Sequence, residues 1–300
     1  MLGVADEYVL ARRVLLDALE TLGPHREAIV LVGAQALYLH TGHVEFAVAP
    51  YTTDADLAVN PETLADGPLL AAVMLSGGFT ADVEPGTCWK DAVQVDLMVP
   101  EALAGSGRRD ARLGVHGNKV TRKARGLEAA LVDCQVMKLA ALADNDRRSF
   151  EIAIASPAAL LVAKVHKIRD RIAAPNRLTD KDALDVYRLL SAVDAQAIAI
   201  GVEKLRYNDL SRAVTGDAFG IAATVRLSVE RRDGARVTRR WHFDQFPNPD
   251  GLVRCACFGI TERDSPMRHT VGAASEKADK KARERSSAYS LSKYGKRRAE

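Results

Sequence analysis

A carboxylate stands in the middle of an otherwise apolar strand-like run, Val93-Gln94-Val95-Asp96-Leu97-Met98-Val99. Side chains two apart on a strand share a face. Val93, Val95, Leu97 and Val99 therefore fill one face, and Gln94, Asp96 and Met98 the other. A carboxylate in such a strand needs a partner or a metal. Upstream, Thr52-Thr53-Asp54-Ala55-Asp56-Leu57-Ala58-Val59 sets Asp54 and Asp56 on one face of a second strand. A third apolar strand, Ala28-Ile29-Val30-Leu31-Val32, ends in the glycine turn Gly33-Ala34-Gln35. The order of strand, glycine turn, helix, Asp-x-Asp strand and Asp-bearing strand predicts an α/β chain: a mixed sheet with flanking helices.

Taken alone, an Asp-x-Asp beside threonine reads as a turn or capping pair. The order of the elements gives it a second meaning. Asp54 and Asp56 project together, and Asp96 joins them if its strand is a neighbour. Three convergent carboxylates attract a hard divalent cation such as Mg²⁺, which binds carboxylates together with substrate phosphates. That geometry suits metal-assisted phosphoryl chemistry.

A second block is helical. Ser156-Pro157-Ala158-Ala159-Leu160-Leu161-Val162-Ala163-Lys164-Val165-His166-Lys167-Ile168-Arg169-Asp170-Arg171 starts with an N-cap serine and a first-turn proline. Leu161, Val165, Ile168 and Ile172 make its apolar stripe. After a short loop comes Arg177-Leu178-Thr179-Asp180-Lys181-Asp182-Ala183-Leu184-Asp185-Val186-Tyr187-Arg188-Leu189-Leu190, with Thr179 as N-cap and acidic residues in the first turn, where the helix dipole favours them. By spacing alone, Lys164 is a lysine snorkelling beside an apolar stripe, and Asp182 is a first-turn carboxylate.

The strand–Gly33-Ala34–helix unit, the Asp54-x-Asp56 strand and Asp96 together resemble the nucleotidyltransferase fold of the polymerase-beta-like superfamily. Here Ala34 stands where that superfamily usually has serine or a second glycine. The pattern Leu-Leu-x-x-Lys, then Lys-Asp-x-x-Asp-x-Tyr-x-Leu-Leu, is similar to AbiEii-type nucleotidyltransferases, which include abortive-infection proteins and toxins of toxin–antitoxin pairs. The resemblance covers roughly residues 28–200. It implies Asp54, Asp56 and Asp96 as metal ligands and catalytic residues. It also implies Lys164 on nucleotide phosphates, Asp182 orienting that lysine, a metal-bound water or the acceptor, and the Gly33-Ala34 turn holding phosphate through backbone N–H groups at the helix start. The implied reaction is Mg²⁺-dependent transfer of an NMP from an NTP to an acceptor hydroxyl. The implied acceptor is RNA, such as the tRNA 3′ end, with a cognate antitoxin as a protein partner. Two alternatives stand beside it: transfer to a small hydroxylated molecule such as an aminoglycoside, and a catalytically silent relative that binds RNA or protein.

Length suggests two domains, and the period turns helical from 157 onward; with the resemblance, this implies a catalytic domain over residues 1–155, a mainly helical domain over 156–275 that completes the cleft, and a basic tail over 276–300. The tail carries nine Lys or Arg against four Asp or Glu, which accounts for the whole positive balance of a chain with net charge +3. It reads as a solvated or disordered end, or as a contact for RNA phosphates. Arg108, Arg109, Arg112, Lys119, Arg122, Lys123 and Arg125 form a second basic segment. No apolar run is long enough to span a membrane. The N-terminus has no basic region followed by a long apolar segment, so a cytoplasmic setting is expected. Cys88, Cys134, Cys255 and Cys257 lack the paired spacing of a zinc site and are expected as reduced thiols.

The periodicity further predicts helices at 5–22, 34–41 and 62–76, the last ending at Gly77-Gly78. It predicts strands at 28–33, 54–59, 79–84, 87–90 and 93–99, and a hairpin of 131–142 with 149–155. Residues 191–250 are expected as helices with charged connections, and 251–275 carry no readable pattern.

Overall fold

The structure is a computed structural model, which describes residues 6–42, 52–106, 109–172, 181–224, 226–230 and 236–240. In chain order the elements are α1 (Asp6–Thr21), β1 (Ile29–Val32), α2 (Gly33–Thr41), β2 (Asp54–Val59), α3 (Leu70–Ser76), β3 (Thr80–Ala81), β4 (Thr87–Lys90), β5 (Val93–Pro100), β6 (Arg122–Ala124), α4 (Glu128–Val132), β7 (Cys134–Ala140), β8 (Ser149–Ala155), α5 (Pro157–Ile172), α6 (Lys181–Ala192), α7 (Ala195–Tyr207), α8 (Arg212–Thr224), β9 (Arg226–Glu230) and β10 (Arg236–Arg240). Eight strands form one sheet in the order β3-β4-β5-β2-β1-β8-β7, with β6 pairing β5 off that path. The sheet is mixed. β1 runs antiparallel to β2 and parallel to β8, and β2 runs parallel to β5. This is the α/β architecture with flanking helices that the strand order predicts.

Both faces of the central strands are covered. On one face Ile29, Leu31, Leu57, Val59, Val95, Leu97 and Val99 are essentially inaccessible to water, and on the other Val30, Val32, Ala58 and Met98 are buried. Helix α1 contributes Val14, Leu15, Leu16, Ala18 and Leu19 to the same core and touches β2, β5 and β8. Strands buried on both faces lose the clean polar alternation of a half-exposed sheet. That is why a lone carboxylate within one of them stands out. Helix α5 is the hub of the helical half, in contact with α2, α4, α6, α7 and α8. Its start is fixed by Ser156, whose Oγ accepts the Ala159 N–H at 3.2 Å. Of its expected apolar stripe, Leu161 and Val165 are buried, whereas Ile172 is exposed.

Some expectations shift. The helix expected over 62–76 forms only as α3, Leu70–Ser76. Pro68 has no N–H to donate, and it disfavours helical dihedrals at the residue before it. The helix ends as expected at Gly77, and Gly78 follows with φ of +80°. The strand expected over 79–84 is reduced to Thr80–Ala81. Strand β7 starts at Cys134, because α4 takes up the preceding residues. The all-helical expectation for 191–250 fails at its end. After α7 and α8, β9 and β10 pair antiparallel from Arg226↔Arg240 to Glu230↔Arg236. The run Arg226-Leu227-Ser228-Val229-Glu230 alternates with period two, a strand signal. Thr179, Arg108, Cys255, Cys257, residues 251–275 and the basic tail lie outside the described residues. Among the described residues no helix is long and apolar enough to cross a membrane.

Candidate active site

The candidate site forms where β1 ends and β2 begins. Strand β2 lies between β1 and β5, so residues at its start face neighbours on both sides. In the β2–β5 register, Asp54 is opposite Gln94 and Asp56 is directly opposite Asp96. In the β1–β2 register, Asp56 is opposite Val32, the residue before Gly33. Asp54, Asp56 and Asp96 therefore share one face of the sheet, as the period-two reading requires.

Gly33 makes this packing feasible. Its φ is +71°, and a Cβ placed on it would lie 2.0 Å from Asp56 Oδ2. The Asp56 carboxyl thus occupies the space a side chain at position 33 would need. It abuts the first residue of α2, whose N-terminal end carries partial positive charge. Ala34, the next residue of the turn, is buried at 4% exposure.

The three carboxylates have different surroundings. Asp54 is partly exposed. It accepts a hydrogen bond from the Thr52 hydroxyl, and the Lys181 ammonium lies 3.7 Å away. Lys181 also donates to Thr52 Oγ1 at 3.1 Å. Burial raises the Asp54 pKa, but the Lys181 charge, the Thr52 hydrogen bond and the charges of Lys167 and Lys164 outweigh it and hold the group below its ordinary value. Asp96 is buried and fully engaged. Arg122 Nη2 donates to Oδ2 at 2.7 Å, while Thr87 Oγ1 and Gln94 Nε2 donate to Oδ1 at 2.8 and 3.0 Å. Asp56 is buried and makes no side-chain hydrogen bond or ion pair among the described residues. Burial pushes its pKa up, the charges of Asp54 and Asp96 push further, and Lys167 and Arg122 oppose without reversing the shift.

Asp54 and Asp96 are each paired with a cation, and Asp56 is the uncompensated member of a trio of hard oxygen donors, a donor set whose chemistry suits a divalent cation. As placed, the side chains are not a ready cage. Among the described residues no group of three or more His, Cys, Asp or Glu stands ready to hold a metal ion. Ion binding would require Asp96 to give up part of its contact with Arg122.

The helical half supplies the second cluster. Lys164 is only 4% exposed, and its ammonium sits between Asp182 Oδ1 at 2.9 Å and Asp185 Oδ2 at 2.7 Å. Arg171 reaches Asp182 Oδ2 at 2.9 Å. Arg188 lies 3.7 Å from Asp185 and donates to the Tyr38 hydroxyl at 3.2 Å. Burial disfavours the Lys164 ammonium, but the charges of Asp185 and Asp182 overcome it and raise its pKa. Burial likewise raises the Asp182 carboxyl, and the charges of Lys164, Lys167 and Arg171 reverse that, leaving it below its ordinary range. Lys164 and Asp182 are thus brought together, with Asp185 as an equal partner. Lys164 is enclosed rather than presented at a surface.

Three contributors escape a reading by sequence. Arg122 is 26 residues from Asp96, with no local pattern to pair them. Lys181 reaches Thr52 across 129 residues. Arg12 hides on the apolar side of α1. It is buried, donates Nε to Gln35 Oε1 at 2.9 Å, and also donates to Tyr8 Oη and Ala140 O. Gln35 in turn donates to the Asp54 carbonyl at 3.1 Å and to Ala11 O at 3.2 Å. This chain of hydrogen bonds fixes the start of β2 from the N-terminal helix. Much of the basic segment is already committed: Arg109 pairs with Glu84, Arg122 with Asp96, and Arg125 with Asp217 and Glu101.

No protein-family model matches the chain, and no curated protein matches it in sequence. Solved structures do match. The solution structure of the antibiotic-resistance factor ANT(2'')-Ia aligns over 70% of this chain and 92% of its own, at 12% identity and a TM-score of 0.39. The crystal structure of ANT(2'')-Ia in complex with adenylyl-2''-tobramycin aligns over 69% and 98%, at 12% identity and a TM-score of 0.39. An antigenic nucleotidyltransferase-like protein from Paracoccidioides brasiliensis aligns over 72% and 94%, at 14% identity and a TM-score of 0.32.

Proposed function

We propose that this chain is a metal-dependent nucleotidyltransferase, which moves an NMP from an NTP to an acceptor hydroxyl. The observation that carries the reading is the register of β2 on β5. It sets Asp56 beside Asp96, with Asp54 on the same face, at the glycine turn that opens α2. Asp54, Asp56 and Asp96 would hold Mg²⁺, which when bound supplies charge neutralisation on the phosphates and acidifies the acceptor hydroxyl. Asp56 is the natural anchor, since burial first, and the charges of Asp54 and Asp96 after it, now disfavour its ionised form, which a bound cation would favour. The Gly33-Ala34 turn offers backbone N–H groups to phosphate. Lys164, Asp182 and Asp185 are the buried electrostatic support behind this face. Positioning and charge stabilisation then supply most of the rate. Pyrophosphate is the leaving group, and the acceptor oxygen takes its place on the α-phosphorus.

The acceptor that the sequence resemblance implies is RNA, the tRNA 3′ end in particular. A toxin role with a cognate antitoxin belongs to the same reading. The test is incubation of the purified protein with each α-labelled NTP and Mg²⁺, together with total RNA or with aminoglycosides. Label on RNA that disappears with Asp56→Ala and with EDTA supports the full proposal. Label on an aminoglycoside keeps the chemistry and changes the acceptor. No transfer to either by the parent protein overturns the enzyme and leaves a binding protein.

A further inference from the structure

Both carboxylate oxygens of Asp96 are occupied. Oδ1 accepts from Thr87 Oγ1 and Gln94 Nε2 at 2.8 and 3.0 Å, and Oδ2 accepts from Arg122 Nη2 at 2.7 Å. Thr87 lies opposite Asp96 on β4, and Gln94 lies two residues before it on β5. These neutral donors leave the carboxylate its charge. Arg122 instead brings a full positive charge from β6 onto the group that a divalent ion would share with Asp56. Its backbone is firmly seated. Arg122 pairs with Met98 of β5 and forms an isolated bridge with Asp110. Gly86 permits the close approach: a Cβ there would lie 2.4 Å from the Arg122 backbone N and 2.5 Å from Leu97 O. The two ends of the ion pair differ in their access to water. The Arg122 side chain is 34% exposed and that of Asp96 only 9%. The guanidinium can therefore leave into water, whereas Asp96 stays buried. A buried carboxylate that loses its cation is strongly destabilised unless another cation replaces it.

We infer that Arg122 is the resident counter-ion of Asp96 and sets the divalent-ion affinity of this site. Asp96 holds either the Arg122 guanidinium or an ion shared with Asp56, and exchange of one for the other loads the site. The inference rests on the nucleotidyltransferase reading and adds a residue which that reading does not use. It accounts for a mismatch in the geometry. The register sets Asp56 directly beside Asp96, yet among the described residues no three acidic side chains stand together as a ready ion site. Asp96 is turned to Arg122, Thr87 and Gln94 instead. Lys181, 3.7 Å from Asp54, plays a lesser part on the other flank. Its contact is long, and Asp54 is the more exposed carboxylate, so water compensates there for a lost partner. At Asp96 the competition is direct. Arg122 lowers the cost of keeping the carboxylate buried and charged before an ion arrives, and it weakens the hold on a free ion by the same contact.

The test is direct binding of Mn²⁺, a paramagnetic stand-in for Mg²⁺, followed through the electron paramagnetic resonance signal of the free ion with no nucleotide present. The proteins are the parent, Arg122→Gln, Arg122→Lys and the double variant Arg122→Gln/Asp56→Ala, each checked for cooperative unfolding. Removing a partly exposed charge-assisted hydrogen bond predicts Mn²⁺ bound about tenfold more tightly by Arg122→Gln. Arg122→Lys keeps the charge but loses the planar fork, so a smaller gain is expected; it carries the test if Arg122→Gln does not fold. Asp56→Ala should abolish the gain. Saturating Mn²⁺ should also raise the unfolding temperature more in Arg122→Gln than in the parent. An arginine with a merely structural role would lower stability without tightening ion binding. Equal or weaker Mn²⁺ binding by the Arg122 variants overturns the inference and leaves the enzyme reading standing. So does a gain that survives Asp56→Ala, because the ion then lies elsewhere. If none of the proteins binds Mn²⁺, the metal-dependent reading falls and the inference with it.

Discussion

Substituting Gly33 by alanine tests the geometry of the candidate site without touching a charged group. Two costs add. An L-residue held at φ of +71° suffers the left-handed penalty, about 1–2 kcal/mol. The new Cβ also meets Asp56 Oδ2 at 2.0 Å, Cγ at 2.7 Å and Cβ at 2.8 Å. The register fixes the Asp56 backbone between Val32 and Asp96, so its Cβ, 2.8 Å from the new atom, stays in place even if the carboxyl rotates. Forcing extra volume into such a place costs about 1–3 kcal/mol. The expected loss for Gly33→Ala is therefore about 2–5 kcal/mol, read as a lower urea midpoint at unchanged m. The double variant Gly33→Ala/Asp56→Ala separates the two costs. It removes the two nearest clashing atoms, so about 1–2 kcal/mol should return as a coupling energy, while the backbone penalty remains. A Gly33→Ala protein as stable as the parent, or strictly additive single losses, would refute the placement of the Asp56 carboxyl against the turn.

Removing the ammonium of the helical cluster should be costly. Lys164→Met leaves Asp182 and Asp185 buried with less compensation, and a loss of about 3–5 kcal/mol in urea unfolding is expected; a loss below about 1 kcal/mol would show that the cluster is solvated. Asp182 gives the pH signature. Its folded pKa is depressed, so the stability it supplies is present above the unfolded value of about 3.9 and is lost as pH falls through the folded one. The stability gap between the parent and Asp182→Asn should be flat from about pH 5 upward and should close in more acid solution, and a gap that widens there would reverse the sign of the argument. Cys88 is buried, and burial with the nearby Asp96 charge pushes its thiol up to about 12. Iodoacetamide near neutral pH should therefore spare Cys88 in the folded protein and modify it in urea, as peptide mass spectrometry can show.

The parts of the site that could be read ahead are those carried by local period. The alternation about Asp96, the shared face of Asp54 and Asp56, the glycine turn and the Ser156 cap all depend on residues within a few positions of one another. The rest depends on partners far along the chain. Arg122 meets Asp96, and Lys181 meets Thr52, through sheet order and helix packing that no local pattern encodes. Lys164 illustrates the difference. A lysine beside an apolar stripe normally extends its stem to water, but here two carboxylates of α6 close over it. Arg12 is the same lesson on α1: an arginine within an apolar face reads as a surface residue until Gln35, Tyr8 and Ala140 are seen around it. At the far end, β9 carries a period-two signal at Leu227 and Val229, set in a stretch whose charge density also suits a connection between helices.

The hydrogen-bond chain from Arg12 through Gln35 to the Asp54 carbonyl changes how sequence variation in this protein should be interpreted. In a saturation scan scored for activity, intolerance would be expected to cluster around the aspartates. It should also appear as a stripe on the first helix, at Tyr8 and Arg12, in positions that touch no substrate. Comparisons with homologues would carry the same imprint, with Arg12 and Gln35 changing together or not at all. A substitution at Arg12 would act on the fold and on the placement of Asp54 together, through the same hydrogen bonds.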